Sequence, residues 1–177
     1  MPHVTELVEM QLTRPFEAFL PFFEREQLPT LLAAPGLVSV RTGPKLNDPN
    51  SAISITLWTS LAAHSAFLSS PAAAAFFQRM ETWLSGPPAV LHYEVGDLAG
   101  VDGRGYVRVS KGTAKNVEKL GKELSKTGVC LEDGSQGLCL DFSQTQDGIG
   151  ERDGEERDGG FVVHVQSYGR AGARSVL

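Results

Sequence analysis

The chain has 177 residues, of which 41% are hydrophobic and 21% are charged, and its formal net charge is −5 at pH 7. This composition predicts a soluble globular protein of one or two domains. No run approaches the roughly 18 consecutive apolar residues of a membrane span, so no membrane association is expected. The negative charge and the lack of a basic stripe make nucleic acid a poor candidate partner.

The N-terminal residues and the cysteines indicate the compartment. The first residues lack the basic and apolar regions of a secretory signal, so we expect a cytoplasmic protein. Cys130 and Cys139 show no C-x-x-C spacing, which argues against a zinc site or a redox pair. Reduced thiols are therefore expected, although a disulfide between the two is also compatible with the sequence.

The N-terminal segment predicts a strand followed by a broken helix. Val4–Leu12 is rich in β-forming residues, and Pro15 suits the first turn of the helix that follows. Pro21 and Pro29 predict two helical pieces rather than one straight rod. The apolar residues at helical spacing in this segment are mainly aromatic: Phe16, Phe19, Leu20 and Phe23.

Further strands and helices complete a βαββαβ pattern. Leu37–Arg41 and Ala52–Trp58 are predicted strands on either side of a turn-rich loop. Thr59 or Ser60 is suited to cap a helix that runs to Leu68. Ser70 and Pro71 then start a helix through Leu84, and 89–95 is a fourth strand. Residues 1–98 therefore predict a complete ferredoxin-like half.

The C-terminal part resembles a second, shorter copy of this pattern. We predict a linker at 99–105, a strand at 106–110, a helix at 114–126 and strands at 129–131, 138–142 and 161–167. The low-complexity segment 144–160 is predicted to be a mobile acidic loop. Residues 106–177 thus form a truncated half that lacks its final helix and strand. We expect this to leave an exposed sheet edge that a second copy covers in a homodimer.

One stretch carries a family resemblance. Leu57-Trp58-Thr59-Ser60-Leu61-Ala62-Ala63-His64, followed by Ser69-Ser70-Pro71 and a Phe-rich helix, resembles the dimeric α+β barrel superfamily. The resemblance is to the branch of antibiotic-biosynthesis-monooxygenase-like proteins, in particular tandem proteins of filamentous fungi. It covers residues 1–98 well and 106–176 weakly.

The resemblance implies two ferredoxin-like sheets that close face to face into a barrel. It also implies a cofactor-independent, metal-free small-molecule enzyme of the monooxygenase or polyketide-cyclase type. Its partner would be a hydrophobic aromatic or polyketide-like molecule in a cavity between sheet and helices. Cyclisation, isomerisation or oxygenation would proceed through an enolate or a phenolate.

The chain departs from the patterns of the catalytic members. The histidine that some members carry near the start of the second helix is replaced here by the alanines at 72–75, and Phe67 stands where others have a histidine. A non-catalytic ligand-binding or interaction protein with the same barrel is therefore the alternative.

The candidate catalytic residues are His64, His92 and Tyr93. An imidazole titrates near neutrality and can act as a base, and a phenol can donate a hydrogen bond to an enolate oxygen. His92 and Tyr93 are neighbours on one strand, so they face opposite sides of the sheet. For each of the three residues, a purely structural role in the core or at the surface is the competing interpretation.

The candidate substrate-binding residues are aromatic or cationic. Aromatic rings are typical of sites that take planar apolar ligands, but core packing explains them equally well. Arg41 is also a candidate ion partner for Glu6 or Glu9, which are charges within a predicted strand. The full set is Trp58, Phe19, Phe23, Phe67, Phe77 and Arg41.

Overall fold

The computed structural model describes residues 3–95, 98, 104–120, 125–146 and 160–169. Within them, eight strands form one closed antiparallel barrel. The strands are β1 (Val4–Gln11), β2 (Leu37–Lys45), β3 (Asp48–Trp58), β4 (Ala89–Glu94), β5 (Arg104–Thr113), β6 (Ser125–Cys130), β7 (Gln136–Ser143) and β8 (Phe161–Gly169).

Five α-helices are described. They are α1 (Phe16–Phe22), α2 (Leu28–Ala33), α3 (Leu61–Leu68), α4 (Pro71–Met80) and α5 (Ala114–Leu120). A π-helical turn, Phe23–Gln27, joins α1 to α2. The predicted break of the N-terminal helix is confirmed, but it lies at this turn, because Pro21 is accommodated inside α1 and Pro29 lies in the first turn of α2.

The strand order around the barrel is β1-β3-β2-β8-β5-β7-β6-β4. The first four strands in the chain follow the order 4-1-3-2, and the last four repeat it as 8-5-7-6. The two sheets meet where β2 pairs with β8 and where β4 pairs with β6. The predicted α+β barrel of two ferredoxin-like halves is therefore confirmed.

The prediction of an open sheet edge is wrong. The predicted strand 161–167 was expected to precede a final helix and strand that the chain lacks, but β8 itself holds the place in the second half that β4 holds in the first. It pairs with β5 on one side and with β2 on the other. Because the barrel closes within one chain, the open edge no longer argues for a homodimer.

The predicted helix at 114–126 is too long. Helix α5 ends at Leu120, and Ser125 and Lys126 belong to β6. The sequence of β6, SKTGVC, lacks the apolar alternation that marks a half-buried strand. Most of the expected linker and of the acidic loop, at 99–103 and 147–159, lies outside the described residues.

Side chains separate by strand parity into two cores. On β1, Leu7 points into the barrel, whereas Met10 packs under the helices. The barrel interior is filled by aliphatic residues of both halves, among them Ile53, Ile55, Val107, Val109, Leu138, Leu140 and Val163. The outer core, between the first sheet and the helices, is aromatic and includes Phe16, Phe19, Phe23, Trp58 and Phe67.

Local sequence signals fix where α3 lies on the sheet. The Ser60 hydroxyl oxygen accepts a hydrogen bond from the Ala63 N–H at 3.1 Å and so caps the helix, as predicted. Gly36 has a φ of +84°, and a Cβ there would lie 2.4 Å from the Cβ of Ala63. A glycine at this turn therefore allows α3 to approach the start of β2. No helix in the described ranges is long and apolar enough to cross a membrane.

Tyr93 provides a test of the barrel interior. Its side chain is fully buried, and its hydroxyl has no hydrogen-bond partner among the described residues. Burial, followed by the nearby Cys130, Glu132 and Glu9, raises its pKa from 10.0 to about 12. The folded protein thus favours the neutral phenol, and stability should fall as the pH rises from about 10 through 12.

We expect Tyr93→Phe to be neutral or stabilising by up to about 1 kcal/mol at pH 7, since it removes a buried hydroxyl that has no partner. The variant should also lose the tyrosinate absorbance step near pH 12. Denaturant unfolding and ultraviolet titration measure these two effects. A loss of several kcal/mol at neutral pH would show that the hydroxyl is hydrogen-bonded after all.

Candidate functional site

Two histidines predicted separately come together on the outer face of the first sheet. Glu6 of β1 and His92 of β4 are direct cross-strand partners, and both point towards the helices. Helix α3 places His64 above them. The ring nitrogens His64 Nδ1 and His92 Nε2 are 2.9 Å apart, and the ring centroids are 4.8 Å apart.

A carboxylate lies at each end of this pair. Glu6 Oε1 is 3.2 Å from His64 Nε2, and Glu132 Oε1 is 2.5 Å from His92 Nδ1. The four side chains form a continuous chain, Glu6–His64–His92–Glu132, in which all four ring nitrogens have a partner. We call it the carboxylate–histidine chain.

The proton count of this chain is constrained. Glu132 accepts from His92 Nδ1, so in a neutral His92 the Nε2 atom is an acceptor and receives its hydrogen bond from His64 Nδ1. If His64 is also neutral, its Nε2 then presents a lone pair to Glu6 Oε1 at 3.2 Å. This contact is a hydrogen bond only if one additional proton lies on Glu6 or on His64 Nε2. The geometry therefore leaves the Glu6–His64 contact as the place where the carboxylate–histidine chain takes up a proton.

Trp58 supports the Glu6 end. Its Nε1–H donates to Glu6 Oε2 at 3.0 Å, which satisfies the second carboxylate oxygen. The indole is fully buried, and its ring centroid is 5.0 Å from that of His64 and 5.6 Å from that of Phe67. For Trp58 the sequence left open a substrate-binding role and core packing. In the structure, its indole holds the carboxylate of Glu6.

Glu132 was not predicted from the sequence. It follows β6 and reaches the site because β6 pairs with β4, where Cys130 lies opposite Tyr93. Burial alone would raise the pKa of Glu132, but hydrogen bonds from the His92 side chain and backbone and from Cys130 lower it to about 2. In the sequence, a glutamate that directly precedes an Asp-Gly turn does not indicate this role.

Tyr93 does not join the histidines. It lies on the same strand as His92 but points into the barrel, which confirms the predicted opposition of the two side chains. Arg41 is also inside the barrel, only 2% exposed, and donates to the Ser39 hydroxyl and the Leu98 carbonyl. Lys45 and Lys111, rather than Arg41, bind the carboxylate of Glu9.

The predicted aromatic residues separate into two groups. Phe67 packs on Trp58, which adjoins the carboxylate–histidine chain. Phe19 and Phe23 belong to the aromatic cluster of the N-terminal helix, where Phe19 contacts Trp83. Phe77 is 45% exposed on α4. Of the candidate binding residues, the structure thus brings only Trp58 and Phe67 to the histidines.

An apolar cleft of about 290 Å³ opens between α2, α3 and α4. Phe67 is its aromatic wall and contacts Trp58, which in turn contacts His64, so these contacts place two rings between the cleft and the carboxylate–histidine chain. His64 is 2% exposed and does not line the cleft. The lining residues are Thr30, Ala33, Ala34, Pro35, Ala63, Ala66, Phe67, Ser70 and Ala72.

Glu6, His64 and His92 could in principle hold a metal ion, since one ligand atom from each lies within 4.8 Å of the others. Two imidazole nitrogens on one tetrahedral zinc ion, each about 2.0–2.1 Å from it, lie about 3.3 Å apart. The observed separation of 2.9 Å is shorter and matches an N–H···N hydrogen bond. The geometry therefore favours a proton over a metal ion between the rings.

Several solved structures share this fold. A candidate monooxygenase from Fusobacterium nucleatum has a TM-score of 0.65 at 10% identity and covers 94% of this chain and 92% of its own. An anthrone oxidase-like protein has a TM-score of 0.64 at 9% identity over 100% and 98%. A candidate monooxygenase from Lactobacillus acidophilus has a TM-score of 0.62 at 7% identity over 94% of each chain.

These similarities define the class of fold. The chain shares its α+β barrel fold with these three structures, and the resemblance predicted from residues 57–71 is confirmed at the level of the fold. At such low sequence identity, the similarity establishes only the fold. The reaction has to be inferred from the residues of the site. No family model and no curated protein matches the sequence.

The low pKa of Glu132 predicts acid sensitivity. Its ionised form is favoured in the folded protein, so the stabilisation is present above the ordinary value of 4.5 and is lost as the pH falls towards 2. We expect Glu132→Gln to flatten the decline of stability over this range. Glu94→Gln, an exposed carboxylate on β4, is the control. Equal slopes for the wild type and Glu132→Gln would contradict this.

The preference for a proton predicts a weak response to zinc. We expect Zn²⁺ to raise the melting temperature of the wild type no more than that of His92→Asn, since a ligand stabilises only in proportion to its binding. Thermal unfolding with Zn²⁺ and with a chelator measures this. A rise that depends on His92 would show that the three ligands do bind metal.

Proposed function

We propose that the protein is a cofactor-independent enzyme that removes a proton from an aromatic or polyketide-like small molecule. The resulting enolate or phenolate would then cyclise, isomerise or react with dioxygen from solution. The observation that carries the proposal is the carboxylate–histidine chain, a set of acid–base groups whose His64 is buried behind the aromatic wall of an apolar cleft. The fold shared with candidate monooxygenases and an anthrone oxidase-like protein supports it.

The cleft is suited to a planar apolar ligand. Its volume of about 290 Å³ lies at the lower limit of ligand pockets. Alanine side chains and Phe67 provide apolar contacts, and the hydroxyls of Thr30 and Ser70 are the polar groups of its wall. A ligand held there would lie against Phe67, and Phe67 and Trp58 would stand between it and His64, so proton transfer to Glu6 would require these rings to move.

The proton would enter at the Glu6 end. All four ring nitrogens are engaged, so a substrate proton must reach the chain where a contact opens. The Glu6–His64 contact, at 3.2 Å, is the longest of the three and lies beside Trp58. Glu6 would therefore accept the proton, and the histidines behind it would store it. This modifies the sequence-based assignment of His64 and His92 as direct bases.

The alternative is a non-catalytic binding protein. It is favoured by the near-complete burial of His64 and by its absence from the cleft wall. In that case the carboxylate–histidine chain would stabilise the packing of α3 on β1 and β4, and the cleft would bind a ligand without turnover.

Ligand binding and turnover separate the two. We expect phenolic or anthrone-type compounds to raise the melting temperature of the wild type and to change mass when incubated in air. His92→Asn should keep the ligand-induced shift and lose turnover by about 10²–10⁴-fold, the usual contribution of acid–base catalysis. His164→Asn, which removes an imidazole from the other half of the barrel, is the matched control.

The outcomes discriminate clearly. Stabilisation without any change of mass would support the binding protein. If His92→Asn leaves turnover unchanged, the carboxylate–histidine chain takes no part in the reaction. A loss of both binding and turnover in Phe67→Ala, with folding retained, would place the substrate in the cleft.

A further inference from the structure

Glu132 comes from the second half of the chain but contacts a residue of the first. Beyond the end of β6, the Leu131 N–H donates to the His92 carbonyl at 2.8 Å and continues the pairing with β4. Glu132 Oε2 then accepts from the His92 backbone N–H at 3.0 Å, while Oε1 contacts His92 Nδ1 at 2.5 Å. The Cys130 thiol donates to the same carboxylate at 3.2 Å. The carboxylate is thus fixed relative to His92 by three contacts.

We propose that Glu132 is the positioning residue of the histidine pair and the solvent end of its proton path. This rests on the function proposed above. An imidazole that donates Nδ1–H to a fixed carboxylate is held in one ring orientation and one tautomer. In His92 this orientation turns Nε2 towards His64. Without Glu132, the ring is free to rotate, and His64 Nδ1 loses the fixed Nε2 acceptor.

Exposure along the chain gives the path its direction. The exposed fraction of the side chain rises from 3% in His64 to 12% in His92 and 44% in Glu132. The Glu6 end is 13% exposed and is covered by Trp58 and His64. Water therefore exchanges protons most readily at Glu132.

The proton balance is simple. The substrate proton enters at Glu6 and crosses to the unprotonated His64 Nε2. The His64 Nδ1 proton crosses to His92 Nε2, the His92 Nδ1 proton crosses to Glu132, and Glu132 releases one proton to water. No bond between heavy atoms forms or breaks in this relay. The groups that face His92 are Glu6 from β1, His64 from α3 and Glu132 after β6, with Cys130 next to Glu132.

This assigns a catalytic contribution to the second half. Among the described residues, the ladder between β6 and β4 contains two residue pairs, Tyr93 with Cys130 and Glu94 with Val129, and the Leu131–His92 hydrogen bond extends it. The seam nevertheless delivers the one carboxylate that orients His92. We infer that the first half cannot set up the histidine pair by itself.

Nitrogen-15 NMR of the full chain tests the positioning without any substrate. We expect His92 Nδ1 to carry a low-field proton in the wild type and in Glu94→Gln, and to lose it in Glu132→Gln. Persistence of the same tautomer and resonance in Glu132→Gln overturns the proposal. If that variant does not fold, the carboxyl carbon of Glu132 in the wild type decides: titration near 2 supports the contact, and titration near 4.5 overturns it.

Kinetics test the proton path wherever the wild type shows turnover. Glu132→Gln should lower kcat on the order of 10-fold, less than direct acid–base catalysis contributes, with little change in KM. Glu132→Asp should recover part of the loss, and a small buffer acid such as imidazole should restore more. A rise in KM with an unchanged kcat would overturn the path. Absence of turnover in the wild type would end the proposed function but leave the NMR result on Glu132 standing.

Discussion

Closure of the barrel at the seam between β4 and β6 is the constraint on which the site depends. Each strand has one face inside the barrel and one outside, and the register of β4 on β1 sets His92 opposite Glu6. A shift of one residue would turn His92 inward and Tyr93 outward. The β4–β6 pairing then brings Glu132 to the other side of His92. The carboxylate–histidine chain thus requires both pairings at once.

The surroundings explain why such a polar chain is tolerated in a buried place. An isolated buried carboxylate is expensive, and it is accommodated only when its oxygens are hydrogen-bonded. Glu6 has partners at both oxygens, from His64 and from Trp58. Rings surround the chain on its helical side, because Trp58 packs on His64 and Phe67 packs on Trp58. The apolar shell keeps water from competing for the contacts and strengthens them.

The barrel interior is organised differently from the outer face. Its polar groups are dispersed: Glu9 binds two lysines, Arg41 donates to Ser39 and Leu98, and Tyr93 has a hydroxyl without a partner among the described residues. The chemistry that can move protons therefore concentrates between sheet and helices, next to the apolar cleft. Because Tyr93 points into the barrel, it does not belong to the site, although the sequence made it a candidate catalytic residue.

The sequence by itself determined the elements whose signals are local. Strand alternation, the Ser60 cap and the aromatic helix face specified the first half, and the parity of His92 and Tyr93 specified their opposite directions. It recognised only the end of β6, at 129–131, and extended the preceding helix to 126, because lysine, threonine and glycine give no periodic apolar signal. It predicted an open edge because a final helix and strand were expected after 161–167.

Only the tertiary structure decided which residues meet. His64 and His92 could each be nominated from residue type, but their 2.9 Å contact depends on where α3 crosses the sheet. Glu132 carries no sequence signal at all, because its partner is 40 residues away and is reached only through the barrel seam. Local patterns encode φ, ψ and the direction of a side chain, whereas a site built from four separate segments depends on long-range register, which no local pattern contains.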